Sequence, residues 1–546
     1  MKNSVIWMFA LVAVVAMITL TSCSDNPNPV FPEPTITVSP SAATQASGGI
    51  VTFSIAITAE GNAASVKLND IEIKSYTTDM KADAFTYDYT VPAGATSGNL
   101  IFTVTDKQNP AKTGTTTAAL TIGKETVAVD AAITTNTTWL ASKYYLLKGN
   151  VYVQAGAELT IEPGTIIFGD KITKGSLIIS RGAKIHAQGT AAAPIIFTSS
   201  APKGFRNYGD WGGVVLLGKA VNNQSLDQTI EGISAATGDN GKYGGTADDD
   251  NSGEFYYARI EFAGIALSTD NELNGLTFGS VGSATQVHHI QVSYSGDDSY
   301  EWFGGTVNTS YLVAYRGWDD EFDTDFGFRG NNQFLASFRD PNIADKSGSN
   351  GFESDNDGSG STKTPLTAAK FSNVTIFGPY VYANLSGGNL SSGAASANYA
   401  NGAHIRRRSA LQVYNTVIVG WGRSNGVFFD KTDASAVFQG NYLGRIVGTL
   451  KTTDVTNGYS DANFATDNAA IEASQATVDL SAKFAGMTGA MNIATPNGLL
   501  AANSPLLTGA ATVPAGLSQT TYIGAFDATN NWMAGWTNFD PNNADY

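Results

Sequence analysis

The segment "GNVYVQAGAELTIEPGT", beginning at Gly149, aligns with "GSLIISRGAKIHAQGT", beginning at Gly175, at an offset of 26 residues. Gly156 falls on Gly182 and Leu159 on Ile185, so the apolar positions recur in register. A unit this short cannot bury its apolar face alone. Stacking on its neighbours solves the problem, and a repeat of this length signals a solenoid. Further units follow with larger insertions: "ARIEFAG" from Ala258, "IQVSYSG" from Ile290, "YLVAYRG" from Tyr311, "QFLASFRD" from Gln333, then "FSNVTIFG" and "LQVYNTVIVG". Each alternates apolar and polar positions ahead of a turn, which places one side-chain set inside a coil and the other toward water. The pattern predicts a parallel β-helix over 125–546, with loop insertions and a C-terminal cap. Within it, 461–487 is the one stretch expected to be a sizeable helix.

Upstream, 35–124 reads differently. "GIVTFSIAITAE", "ASVKLNDIEIKSY", "AFTYDYTVPAGA" and "GNLIFTVTDK" are short alternating runs punctuated by Gly, Asn, Asp and Pro. They predict a β-sandwich of immunoglobulin-like size. The fold class is therefore all-β, a sandwich followed by a large β-helix.

Residues 1–22 carry Lys2, the apolar run "VIWMFALVAVVAMITL" and then "LTSC", ending at Cys23. This reads as a lipoprotein signal peptide with acylation at Cys23, because the run is short for a span. A Pro-rich, polar tether occupies 23–34. Cys23 is the only cysteine, so no intrachain disulfide is available. The chain has 48 acidic against 32 basic residues, a formal charge of −16. That balance argues against nucleic acid and favours cations, neutral ligands or another protein.

The acids are concentrated. Asp297 and Asp298 in "YSGDD" are followed 22 residues later by Asp319 and Asp320 in "YRGWDD". If 22 residues make one turn of the coil, the pairs lie in adjacent rungs, about 4.8 Å apart. Like charges that close need a cation, an arginine or raised pKa values. Asp323 and Asp325 follow, then Glu353, Asp355 and Asp357 in "GFESDNDGSG". Calcium takes six to eight oxygen ligands of this kind, so these nine acids are candidate calcium ligands. An acidic turn surface and arginine-neutralised networks are the competing readings. The run Arg406 to Arg408 suits an anion or salt bridges to the nearby acids. Tyr300, Trp302 and Trp318, with Arg316 and Arg329, are candidate ligand-binding residues, since flat rings beside hydrogen-bonding groups suit sugar faces. The alternative is that the rings cover the coil. His288 and His289 are expected to point to opposite sides of a strand and not to act as a pair.

Parallel β-helices also host pectin-type lyases and polysaccharide hydrolases, and Asp297, Asp298, Asp320 and Asp323 could divide acid and base work between rungs. No nucleophile triad or histidine metal motif accompanies them.

The stretches "GAELTIEPGTIIFG", "GDWGGVVLLGKA", "SYSGDDSYEWFGGTVN", "YRGWDDEFDTDFGFRG", "SNGFESDND" and "YIGAFDATNNWMAGWTNFDP", together with Leu20 to Cys23, resemble the secreted β-helical lipoproteins common in the Bacteroidota. The resemblance covers about 130 to 546. It implies a right-handed coil, lipid-anchored in the outer membrane through acylated Cys23 and facing the cell exterior. It transfers no catalytic residues. The expectation is a noncatalytic surface protein that binds a polymer such as a polysaccharide, a cation or an outer-membrane protein partner, as an accessory to a transporter or surface layer; the alternative is a polysaccharide lyase or glycoside hydrolase using the acidic groove.

Overall fold

The computed structural model describes residues 30–546 except 234–237, 269–270, 383–394, 422–424, 447, 454–458, 460, 469, 473–479 and 486–491. Cys23, the expected leader and the start of the expected tether lie outside the described residues. The chain forms two compact units, one ending at Lys124 and one running from Glu125 to Tyr546.

In the first unit, eight strands make a three-stranded and a five-stranded sheet. Strand Ile50–Thr58 buries Val51, Phe53, Ile55 and Ile57 and exposes the residues between, as its alternation requires. Phe53 on one sheet meets Phe102 on the other at 5.1 Å between ring centroids, which closes an immunoglobulin-like sandwich.

The second unit is a parallel β-helix. Asn150 pairs with Ser176 and Leu159 with Ile185, which is the 26-residue offset written as strand register. Tyr300 pairs with Phe322, an offset of 22. One face of the coil is a ten-stranded parallel sheet, and a larger sheet wraps the other faces. Inside, Trp302 stacks on Phe278 at 5.4 Å and on Phe328 at 5.5 Å.

Strands Gln286–Ser293, Asn308–Tyr315, Asn331–Phe338 and Lys370–Phe377 bend midway at His289, Tyr311, Phe334 and Asn373, with φ of 52°, 56°, 62° and 54°. Side chains seldom adopt this left-handed region, so the bend is imposed by closure of the coil rather than by local preference. It recurs at the same place in each rung, and the bend residues therefore stack.

The chain from Leu480 onward folds back as a strap over the outer face of the larger sheet. There Phe484, Leu506, Ile523, Phe526, Met533 and Trp536 bury against Val313, Tyr315, Phe338 and Phe377. The strap is also stitched by hydrogen bonds. Asn415 Nδ2 donates to the Ala511 carbonyl (2.9 Å), Asn373 Nδ2 to that of Tyr522 (3.0 Å), and Gln291 Nε2 to that of Asn538 (2.8 Å). Arg206 Nη1 donates to the Pro541 carbonyl (2.7 Å) and Tyr546 Oη to Glu261 (2.7 Å).

Among the described residues of 461–487 the expected sizeable helix is not formed. Its described residues contain a seven-residue helix, Asp461–Asp467, a strand, Ala470–Glu472, and a 3-10 turn, Leu480–Ala482. Phe464 is drawn under Phe438 at 5.6 Å, and Ala470–Glu472 adds to the sheet beside Tyr442–Gly444, so tertiary pairing overrides helix propensity.

Candidate functional site

Alternation along the ten-stranded sheet builds the site. In Tyr300–Gly305, Tyr300 and Trp302 point inward and Glu301 outward; in Phe322–Asp325 the outward residues are Asp323 and Asp325; in Phe352–Ser354 the outward one is Glu353. Register puts Glu301, Asp323 and Glu353 in one column, one acid per rung. The turns just before these strands add Asp297 with Asp298, and Asp319 with Asp320. Asp298 accepts the Asp320 amide at 2.8 Å, which fixes the two pairs as neighbours. Glycine is needed ahead of the first pair, because a Cβ on Gly296 would lie 2.6 Å from the Gly264 carbonyl oxygen.

Together these acids, Asp325 excepted, line a cavity of about 480 Å³, with Glu231 and Glu272 contributed by insertions and Trp318 and Lys346 at its wall. A second cavity of about 370 Å³ shares Glu231, Glu301, Asp323 and Glu353 and adds Asp325, Asp355, Arg406 and Arg407. Three interlocking trios, Asp297/Asp298/Asp319, Asp298/Glu301/Asp323 and Asp320/Asp323/Glu353, each bring one oxygen per residue within 4.8 Å of the others. Burial, and then mutual repulsion, pushes the carboxyls of Asp297, Asp298, Glu301, Asp320 and Glu353 well above the usual range. Asp323 is pushed up to about 7, by burial first and then by Asp355. Buried Oδ1 atoms of Asp319 and Asp323 have no hydrogen-bond partner. Acceptors left unmet in such a place fit a hard cation, which carboxylate oxygens bind.

Arginine satisfies only part of the cluster. Arg406 pairs with Glu353 and, at 2.8 Å, with Asp355; Arg407 reaches Asp355 at 2.7 Å. Behind the Asp319–Asp320 turn, Arg339 and Glu321 form a fully buried ion pair at 2.7 Å, and Ser299 Oγ donates to the other Glu321 oxygen at 2.7 Å. Arg339 also donates to the Asp319 carbonyl, so the pair holds the acid turn from beneath.

Several sequence expectations are corrected. Tyr300 and Trp302 are fully buried in the coil, and Tyr300 Oη donates to the Ile290 and Val313 carbonyls at 2.7 and 3.0 Å, so neither ring offers a ligand platform. Trp318, 37% exposed, does face the cavity, held by Asp345 through Nε1 at 3.1 Å. Arg316 is spent on Asp340 at 3.2 Å and lies over Tyr315, while Arg329 pairs with Asp248 at 2.9 Å; neither lines the acid cavities. Asp357 lines neither cavity. It caps its own turn, accepting the Ser361 and Ser359 hydroxyls and, at 3.1 and 2.9 Å, their amides, and against the opposing effect of burial these bonds hold its carboxyl below the usual range. His288 and His289 do not diverge, because the bend at His289 turns both rings the same way, with Nδ1 atoms 2.9 Å apart. Two contrasting substitutions follow. Tyr300→Phe is expected to cost about 1 kcal/mol in chemical denaturation. Trp318→Phe should stay within about 0.5 kcal/mol and change only what the cavity binds.

Glu301, Glu231 and Glu272 were not among the nine candidate ligands. Glu301 was legible, since the 22-residue offset that pairs Asp298 with Asp320 also sets Glu301 on Asp323. Glu231 and Glu272 sit on insertions that no repeat predicts.

A parallel β-helix with an acid-lined cleft on one sheet defines the class of protein. The chain belongs to the pectate-lyase-like β-helix domain family, whose family model matches residues 131–537. No curated protein and no solved structure matches the chain.

Proposed function

We propose that the protein is a noncatalytic binding β-helix whose acid cleft holds calcium and, with it, a polymer, most simply a polysaccharide, or an outer-membrane partner protein. The observation that carries this reading is the set of three interlocking carboxylate trios with unmet Asp319 and Asp323 oxygens. Asp297, Asp298, Glu301, Asp319, Asp320, Asp323 and Glu353 would hold the ion, which would offset the excess of negative charge that Lys346 and Arg406 leave in the cleft. Within the trios the oxygens are closer than the roughly 6.5–9.5 Å that an inverting hydrolase leaves for its water. Trp318 at the wall offers a ring face to a sugar. The segment Leu20 to Cys23 supports lipid anchoring in the outer membrane, with the β-helix held at the cell exterior.

A lyase or hydrolase is the second reading, favoured by Arg406 and Arg407 at the adjoining cavity, where a cation and a guanidinium together would stabilise developing charge. Both guanidiniums are committed to Glu353 and Asp355, which is why binding is preferred.

Calorimetric titration of calcium into the demetallated full-length chain is expected to give heat and a higher melting temperature at millimolar ion; the absence of both would sink the cation claim. A broad polysaccharide depolymerisation screen is expected to give no product. Product abolished by Asp298→Asn or Asp320→Asn would replace the binding reading with the enzymatic one.

A further inference from the structure

We propose that His288 and His289 form a second metal site, a two-imidazole chelate for a late first-row divalent ion, Cu(II) or Ni(II), on the bend of the Gln286–Ser293 strand. Neighbouring side chains of a regular strand diverge. Here the left-handed φ of 52° at His289 turns the two rings together and leaves their Nδ1 atoms 2.9 Å apart. With metal–nitrogen bonds of about 2.0–2.1 Å, that separation subtends about 90° at the ion. A right angle suits the cis positions of a square-planar or octahedral ion; a tetrahedral one would need nitrogens about 3.3 Å apart.

The rings are held in place before any ion arrives. His289 is sandwiched between Tyr257 and Tyr311, each at 4.4 Å, and His288 lies on Tyr256 at 4.4 Å with 9° between planes. Trp536 from the strap closes edge-on against His289 at 5.7 Å. Both rings remain partly exposed, which leaves a route for the ion. Burial lowers both imidazoles, His289 to about 4, so each is neutral at pH 7 as a ligand must be. In the free protein one Nδ1–H donates to the other Nδ1. On binding, that proton moves to Nε2 of its own ring, so the exchange is a tautomer shift with no net proton lost. The other two histidines are placed differently. His186 is engaged at both nitrogens, by Glu254 at 2.5 Å and Glu158 at 3.1 Å, and His404 faces Glu353 at 3.8 Å.

The test is electron paramagnetic resonance of the full-length chain with one equivalent of CuCl2 at pH 7.5 and calcium in excess to occupy the acid cleft. Wild type is expected to show coupling to two imidazole nitrogens. His288→Phe and His289→Phe preserve the ring stack, and each should remove that pattern and weaken copper binding by at least about tenfold. An oxygen-only wild-type spectrum overturns the proposal however the variants fold. So does two-nitrogen coupling that survives both phenylalanine variants but disappears in a His186→Gln/His404→Gln chain; its persistence in that chain supports the assignment.

Discussion

Arg339→Met is expected to destabilise the β-helix by about 3–5 kcal/mol, the cost of leaving a buried charge without its partner. Arg339 and Glu321 are both fully inaccessible, and their 2.7 Å contact is Glu321's only pairing with a cation among the described residues. Removing the guanidinium leaves Glu321 with Ser299 alone and frees the Asp319 carbonyl. The acid turn above would then lose its support, so calcium affinity should fall together with the melting temperature. Arg339→Met/Glu321→Leu separates the two effects. Replacing both members of a buried pair by apolar groups is often close to neutral, so stability should largely return while the turn remains unanchored. Chemical denaturation of the three chains, with calcium titrations alongside, checks this. A single variant within 1 kcal/mol of wild type would mean that the pair contributes nothing to the fold.

In chelator, the melting temperature is expected to fall as pH rises from about 6.5 to 8, and saturating calcium should abolish the fall. The sign follows from the raised carboxyls. Their folded pKa values exceed the unfolded ones, so the native state holds protons that the unfolded chain has released, and stability declines as pH climbs through the folded values. For Asp323 that value is about 7, and for Asp298, Glu301, Asp320 and Glu353 burial and repulsion act in the same direction. His289 and His404, lowered to about 4 by burial, act oppositely, but only below the ordinary imidazole value of 6.5. The window above it therefore isolates the acids. Calcium at a hundred times its dissociation constant adds about 2.7 kcal/mol to the native state. Asp298→Asn/Asp320→Asn should raise the chelator melting temperature at pH 8 and blunt the calcium response. A flat or rising profile in chelator would contradict the raised pKa values.

The β-helix was legible because its rungs are written as literal offsets, 26 residues at Leu159 and Ile185, 22 at Asp298 and Asp320. The cluster was legible for the same reason, since stacked repeats convert sequence spacing into spatial neighbourhood. What a period of two does not state is which face is inside. Tyr300 and Trp302 looked available for that reason, although an acid at Glu301 between them already implied that they turn inward. The bend at His289 escaped because a left-handed residue within a strand breaks the alternation used to place side chains. Glu231 and Glu272 escaped because insertions carry no register.

The strap has a consequence for how the β-helix yields under load. A bare solenoid is held only through nearest neighbours, so it peels from either end one coil at a time. Here a single run of chain grips coils from Arg206 to Asn415 in reverse order, Asn415 through Ala511 and Arg206 through Pro541. A coil within that span cannot peel away until its lashing to the strap breaks as well, so while the strap holds, the coils should yield more nearly as one unit than in a bare solenoid.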